Sequence, residues 1–229
     1  MRKSQADAPA CGCLEAEKLR VAVVVLAAGL SRRMALGPKL LLDLGGEPMI
    51  RRTVRNVLAI DPVETVVVTG ANAREIEAAL EGLPLRCVFN PEHQAGQQGS
   101  VICGVGALQA SCDAVMVALG DQPLVTAEHL RLLLARFAQL RGRSILAPRH
   151  DGAPGNPVIF AAKHIPAIAA GKVKVGCRKL IESLPGEVAV EEFDSDVYTL
   201  DCDTRADYEK LKAIFDLERV PEECGASSR

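Results

Sequence analysis

Residues 21–39 read VAVVVLAAGLSRRMALGPK, and the order in which those residue types follow one another decides the fold. The β-branched run Val21 to Val25 is apolar on both faces, as expected of a strand buried between two helical layers of a parallel sheet. Ala27, Ala28 and Gly29 then carry almost no side chain, so backbone N–H groups can approach a ligand, and Gly29 is free to take a positive φ. Arg32, Arg33 and Lys39 follow within ten residues of Gly29 and bring three fixed cations to that opening. Any one of these residues alone reads as a tight turn and a solvated basic loop. Together, directly after a buried strand, they point to a polyphosphate site. The pattern is neither G-x-x-x-x-G-K-[ST] nor G-x-G-x-x-G.

Outward from this stretch, strands are predicted at 63–69, 85–89 and 113–119, with a helix from Asn72 to Glu81 and another over 101–110. This alternation predicts an α/β fold, a Rossmann-like three-layer αβα sandwich with a mostly parallel, doubly wound sheet. Ligands of such sheets bind beyond the carboxyl ends of the strands, so the loops at 26–39, 69–72, 90–100 and 119–123 should gather at one site. A helix is expected from Pro48, with Ile50, Val54, Val57 and Leu58 inward and Arg51, Arg52 and Arg55 outward. Thr126 should cap a helix to about Leu140, and short strands are expected at 144–147 and before Phe160. Residues 200–208 should end a strand and open the last helix. The organisation expected is a flexible arm over 1–18, one domain over 19–217 and a flexible tail over 218–229.

Two segments carry chemistry besides the opening one. Gly120-Asp121-Gln122-Pro123 places a carboxylate on a turn directly after a buried strand, on the same sheet edge as Gly29. Such a carboxylate suits Mg²⁺, which takes one or two protein acids together with substrate phosphates and water. Asn90 to Ser100 is polar, glycine-rich and long enough to shape a pocket, and Ser100 could cap the helix that follows. Asp203 or Thr204 could cap the last helix, with Asp207 in its first turn.

Composition narrows the function classes. The chain has 229 residues, a formal net charge of −2 and 3 % aromatic residues, which offers neither a basic face nor stacking platforms for nucleic acid. No apolar run approaches the ~20 residues of a membrane span, and the first residues lack the apolar middle of a secretory signal, so a cytoplasmic location is expected. The eight cysteines are scattered, mostly inside apolar segments, and read as reduced; Cys11-Gly12-Cys13 is the one close pair. The four histidines, His93, His129, His150 and His164, show no metal or triad spacing and read mostly as surface residues.

Leu26-Ala27-Ala28-Gly29-Leu30-Ser31-Arg32-Arg33-Met34, followed by Gly37-Pro38-Lys39, resembles the signature loop of nucleotidyltransferases of the molybdenum cofactor cytidylyltransferase and guanylyltransferase group. The resemblance extends over residues 20–213. It implies that Leu26, Ala27, Ala28, Gly29 and Ser31 wrap a nucleoside triphosphate while Arg33 and Lys39 face its phosphates. It places Gly70, Asn90, Gly96, Ser100 and Gly120 on the nucleotide side, and Asn156 and Arg178 on the acceptor side. Asp121 stands for the family's metal aspartate, and Asp203, with Asp201 next to it, for a second metal ligand; the helix-cap reading of Asp203 stands beside this. The chain departs from the pattern at Ala35, where the family usually has glycine, and at Lys174, where it more often has an acid.

The reaction implied is attack by a terminal phosphate of molybdenum cofactor on the α-phosphorus of CTP, with pyrophosphate leaving. Mg²⁺, or Mn²⁺ in its place, would serve. A phosphate nucleophile is already ionised near neutral pH, so no base is required. The double alanine before Gly29 favours CTP, with GTP as runner-up and other phosphorylated acceptors open. The partners implied are the nucleotide, a molybdopterin-type substrate and, transiently, a molybdoenzyme or its chaperone; neither nucleic acid nor membrane is expected. A carrier of pterin or nucleotide without chemistry is the competing class, and an NADPH-dependent redox enzyme a third.

Overall fold

Strand β1 (Val21–Ala27) is buried along its whole length, and the sheet is assembled around it. In a computed structural model of the protein, which describes residues 19–30, 34, 37–173 and 183–217, β1 pairs in parallel with β4 (Glu64–Thr69) and with β6 (Ala114–Leu119). Beyond β4 lies β5 (Arg86–Phe89) at one edge. Beyond β6 come β9 (Val158–Ala161), β7 (Ile145–His150) and β10 (Val188–Glu192), with the short β8 (Ala153–Pro154) paired to the end of β7. Ser31, Arg32, Arg33, Ala35, Lys174, Arg178, the N-terminal arm and the C-terminal tail lie outside the described residues.

The sheet is mostly parallel, as the alternation predicts. The exception in its middle is β9, which is antiparallel to both β6 and β7. The chain returns from His150 to Val158 in fewer than the dozen or so residues a parallel crossover needs, so only a reversal fits. Asp151 and Gly152 make that reversal with φ of 47° and 74°. A small hairpin, β2 (Asp43–Leu44) with β3 (Glu47–Pro48), precedes the first helix.

Helices cover both faces, and the period of two along β1 sorts its residues between them. Val23 and Val25 join the core with α1 (Met49–Leu58), α2 (Ala73–Ala79), α4 (Ala127–Ala138) and α6 (Arg205–Leu217). Val24 and Leu26 join the other core with α3 (Gln97–Gly106) and α5 (Ile165–Ala169). A fully buried valine stabilises by about 1.5–3 kcal/mol, so β1, buried on both sides, is the anchor of the domain. Helix α3 lies close to it because Gly104 has no side chain: a Cβ there would sit 2.4 Å from Val24 Cγ1.

Two details depart from the sequence reading for identifiable reasons. Arg51 and Arg52 are not a solvated face. Arg51 donates from Nη1 to Ala79 O at 2.8 Å and Glu81 O at 3.1 Å, serving carbonyls orphaned at the end of α2. Arg52 stacks 4.3 Å over the Phe215 ring. Helix α3 starts earlier than expected, directly after Gly96, whose φ of 110° turns the chain into it. It also ends sooner, because Gln109 and Ala110 donate their N–H groups to Glu64 Oε2, both at 2.8 Å, rather than continuing the helix.

Glu64 joins three elements, since its Oε1 also accepts from Arg86 Nη2 at 2.8 Å. Burial pushes this carboxyl up, but the Ala110 N–H, the Arg86 guanidinium and the Gln109 N–H outweigh it and hold the pKa below the ordinary value of 4.5. The stability so gained is present above the unfolded pKa and is lost as pH falls through the lower folded one. Glu64→Gln should therefore cost about 1–2 kcal/mol at pH 7. In denaturant melts the gap from the parent chain should close as pH falls below 4.5; a gap independent of pH would remove Glu64 from this role.

Candidate active site

From β1 the chain winds first to β4 and β5, then crosses back to β6 on the other side. The carboxyl ends of β1 and β6 are therefore the switch point of the sheet, where a crevice opens. A cleft of about 490 Å³ lies there. Leu26, Ala28 and Gly29 line it from the end of β1, and Asp121 from the end of β6. Gly120 lets the two ends approach: its N–H donates to Leu26 O at 3.0 Å, and a Cβ on it would meet Ile50 Cδ1 at 2.8 Å.

One end of the cleft is charged. Lys39 opens a one-turn 3-10 helix, Lys39–Leu41, after Pro38, and its ammonium lies between two carboxylates. It donates to Asp121 Oδ2 in a short charged hydrogen bond and to Asp203 Oδ1 at 2.9 Å. Burial alone would lower the lysine's pKa, but Asp121, then Asp203, outweigh it and hold the ammonium above its ordinary value. The resemblance puts Lys39 on the phosphates; its ammonium lies on the two acids. Asp121 is less open than a solvent-facing turn would be, with its side chain 14 % exposed.

The choice between Asp203 and Thr204 as helix cap is resolved by the hydrogen bonds. Thr204 accepts the Asp207 N–H on Oγ1 at 3.2 Å, and Asp207 Oδ2 accepts from Thr204 N at 2.8 Å, a reciprocal cap. The Asp203 carboxylate is thereby left to Lys39. This acid segment follows a 3-10 turn, Asp196–Tyr198, rather than the strand expected. Asp201 also lines the cleft. Burial, then the charges of Asp121 and Asp203, push its carboxyl up to about 6.

Gln122 holds the acid segment in place and was not singled out from the sequence. It is 2 % exposed and donates from Nε2 to Asp201 Oδ1 at 2.8 Å and Tyr198 O at 3.0 Å. The Cys202 N–H adds a bond to Asp121 O at 3.1 Å. Gln122→Met keeps the volume and removes both donors. Losing support for a segment that carries metal ligands costs about 10–100-fold in activity, so if Asp203 on this segment holds a metal, kcat should fall by that factor while nucleotide affinity changes little; equal kcat in the two proteins would contradict this.

Among the described residues, the rest of the cleft lining is polar, with His93, Gln94, Gly96, Gln97 and Ser100. Asn90 and Ser100 are both 3 % exposed and bonded to each other, Asn90 Nδ2 to Ser100 Oγ at 3.0 Å. Asn90 Oδ1 also accepts the Glu92 N–H at 3.0 Å, so these two residues fix the loop from behind. Ser100 lies inside α3 and is not its cap. Gly70 sits beneath the lining: a Cβ there would meet Ala28 O at 2.7 Å and His93 Cβ at 2.8 Å. Ala27 packs into the core below the cleft. Asn156 borders a small adjoining hollow with Leu26, Gln97 and Leu119, its N–H donating to Tyr198 O at 2.8 Å.

The histidines are less uniform than a surface assignment allows. His164 is buried and bonded to Ser144 Oγ at 2.7 Å, His129 completes the cap of α4 with Thr126, and His93 lines the cleft. Their roles come from contacts distant in sequence or from loop geometry, which spacing does not reveal.

The donor set for a divalent cation can be judged from these contacts. Asp121 and Asp203 already converge on one cationic atom, and carboxylate oxygens are the ligands hard cations such as Mg²⁺ or Mn²⁺ take. Among the described residues no group of three or more His, Cys, Asp or Glu side chains forms a complete metal cage. The site thus fits an ion completed by substrate oxygens and water. No helix among the described residues is long and apolar enough to cross a membrane.

Comparison with known proteins agrees with this geometry. The profile of the MobA-like NTP transferase domain matches residues 23–188. The bifunctional protein GlmU of Sorangium cellulosum is 30 % identical over 191 residues, which span 76 % of this chain but 37 % of that protein. GlmU of Halorhodospira halophila is 38 % identical over 116 residues, 50 % of this chain and 24 % of that protein. Among solved structures, a nucleotidyl transferase from Methanothermobacter superposes with a TM-score of 0.73 at 26 % identity, covering 87 % of this chain and 99 % of that one. A homologue of a Mycobacterium tuberculosis protein, from Mycobacterium sp. strain JC1, gives 0.72 at 29 % identity, covering 87 % and 100 %.

Proposed function

Because this chain belongs to the MobA-like NTP transferase domain family, we propose that it transfers CMP from CTP to the terminal phosphate of molybdenum cofactor, releasing pyrophosphate in the cytoplasm. The observation that carries the reading is the placement of Lys39 with Asp121 and Asp203 at the switch point, in the cleft that Gly29 also lines. A carrier without chemistry has no use for two convergent carboxylates held on a half-buried lysine.

In this reading the nucleoside triphosphate lies along the cleft with its phosphates at the Lys39 end. Asp121 and Asp203 would hold Mg²⁺, or Mn²⁺ in its place, which when bound supplies charge neutralisation on the phosphate oxygens. Leu26, Ala28 and Gly29 shape the wall under the nucleotide, with Ala27, Gly70 and Gly120 allowing the close backbone approach. Asn90, Gly96 and Ser100 hold the nucleoside end. Lys39, with Arg33, stabilises charge as it grows on the leaving pyrophosphate. Asn156 and Arg178 would serve the acceptor, whose phosphate oxygen attacks the α-phosphorus in line. The P–O bond to the β-phosphate breaks as the new one forms, and no proton has to move at the nucleophile. A molybdoenzyme or its chaperone would receive the product.

The test is pyrophosphate release with Mg²⁺ from CTP, GTP, ATP and UTP, each with and without molybdenum cofactor. Release that needs the cofactor and is fastest with CTP is expected. GTP as the preferred donor would convert the reading to a guanylyltransferase, and binding without release under every condition would leave the carrier.

A further inference from the structure

His93 is the one histidine that lines the cleft, in the part it shares with Gln94, Gln97 and Ser100. Among the described lining residues, phosphates and cation belong with Lys39, Asp121 and Asp203, which leaves the nucleobase for the part built by His93, Gln94, Gln97 and Ser100. Gln94 and Gln97 carry primary amides, which can turn to offer either a donor or an acceptor, so they discriminate poorly between bases. His93 is held differently. Its Nδ1 lies 3.1 Å from Asn90 O, and its own N–H reaches the same carbonyl at 3.3 Å. A carbonyl can only accept, so the ring's Nδ1 carries the proton, and in the neutral imidazole Nε2 then presents the lone pair. The Asn90 carbonyl is itself fixed, because the Asn90 side chain is bonded to Ser100 Oγ and the Glu92 N–H. Gly70 lets the His93 Cβ rest against the Ala28 turn, since any side chain at that position would collide with both.

We infer that His93 is a specificity residue, its Nε2 accepting from the exocyclic amino group of the nucleobase and so favouring cytosine over uracil. The inference rests on the nucleotide reading above and extends it to the base. Cytosine and uracil have the same size and the same sugar attachment; at the 4-position one offers an N–H donor where the other offers a carbonyl acceptor. An acceptor of fixed tautomer bonds to the first and opposes the second, which leaves two acceptors facing one another without a proton between them.

Equilibrium binding of CTP and of UTP to the full chain, with Mg²⁺ and without any acceptor, tests this on the parent protein, His93→Gln and His93→Phe. The parent chain should bind CTP at least about tenfold more tightly than UTP, the discrimination expected when one polar group is left opposed. In His93→Gln the amide can turn to suit either base, and in His93→Phe the ring remains without its acceptor, so both ratios should fall to within about threefold of unity. Melting temperatures show which variants fold, and either one suffices. A CTP-to-UTP ratio that survives in a folded variant, or a parent chain that binds the two equally, overturns the role of His93 and leaves the nucleotide reading standing. A parent chain that binds neither nucleotide overturns the nucleotide reading and this inference with it.

Discussion

Lys39→Met should abolish turnover and, at the same time, tighten the binding of Mn²⁺ to the nucleotide-free protein. The ammonium occupies the space between Asp121 and Asp203, where it makes two charge-assisted hydrogen bonds. A divalent cation claiming the same oxygens has to displace it. Hydrogen bonds to charged groups contribute about 1.5–3 kcal/mol each. Removing one such competitor should tighten metal binding by roughly 10- to 100-fold. Catalysis should fall by about 10³-fold or more, because in the proposed reaction the displaced lysine is the group that meets the pyrophosphate. The opposite signs distinguish this account from simple damage, which weakens both. Calorimetric titration with Mn²⁺ alone reads the metal half, and weaker binding in Lys39→Met would contradict the displacement.

Asp121→Asn should lose at least about 10³-fold in kcat, the order expected when a cation that stabilises transition-state charge loses a ligand. Its melting temperature should shift by only a few degrees. Asparagine is the right replacement because Asp121 is mostly shielded from solvent and its shape fills the gap beside Lys39. Removing its charge leaves the ammonium bonded to Asp203, so the site is not left with a buried cation that has no counter-charge. The Asp121 main-chain carbonyl, which accepts from Cys202 N–H, is untouched. Unchanged kcat in a folded Asp121→Asn protein would exclude this carboxylate from the reaction.

What the sequence discloses here follows the range of the interactions involved. The β1 run, apolar at every position, announces a strand buried on both faces, and the small residues after it announce a turn at the ligand edge. Both are local signals; the strand lies where expected, and Ala28 and Gly29 line the cleft at its end, Gly29 without a positive φ. The Lys39 bridge was not legible, because it joins residues 82 and 164 positions apart. Nor was the role of Gln122, whose partners Tyr198 and Asp201 come from a distant loop. The cap of α6 was ambiguous in one dimension, since Asp203 and Thr204 are both good caps; the reciprocal bonds of Thr204 with Asp207 decide it. His93 was passed over because its tautomer depends on a backbone carbonyl, which has no signature in side-chain spacing. The antiparallel β9 follows from the shortness of the connection after His150, a constraint that becomes visible only once the end of β7 is known.

The most direct test of the proposed reaction is the fate of the α-phosphate. CTP labelled with ³²P at the α-position should be incubated with the protein, Mg²⁺ and molybdenum cofactor, and the products separated. The account predicts that the label moves into the cofactor fraction in step with unlabelled pyrophosphate, and that nuclease treatment of the product returns labelled CMP. Label that stays in CTP, or that leaves as free CMP or CDP whether or not the cofactor is present, would contradict nucleotidyl transfer to this acceptor.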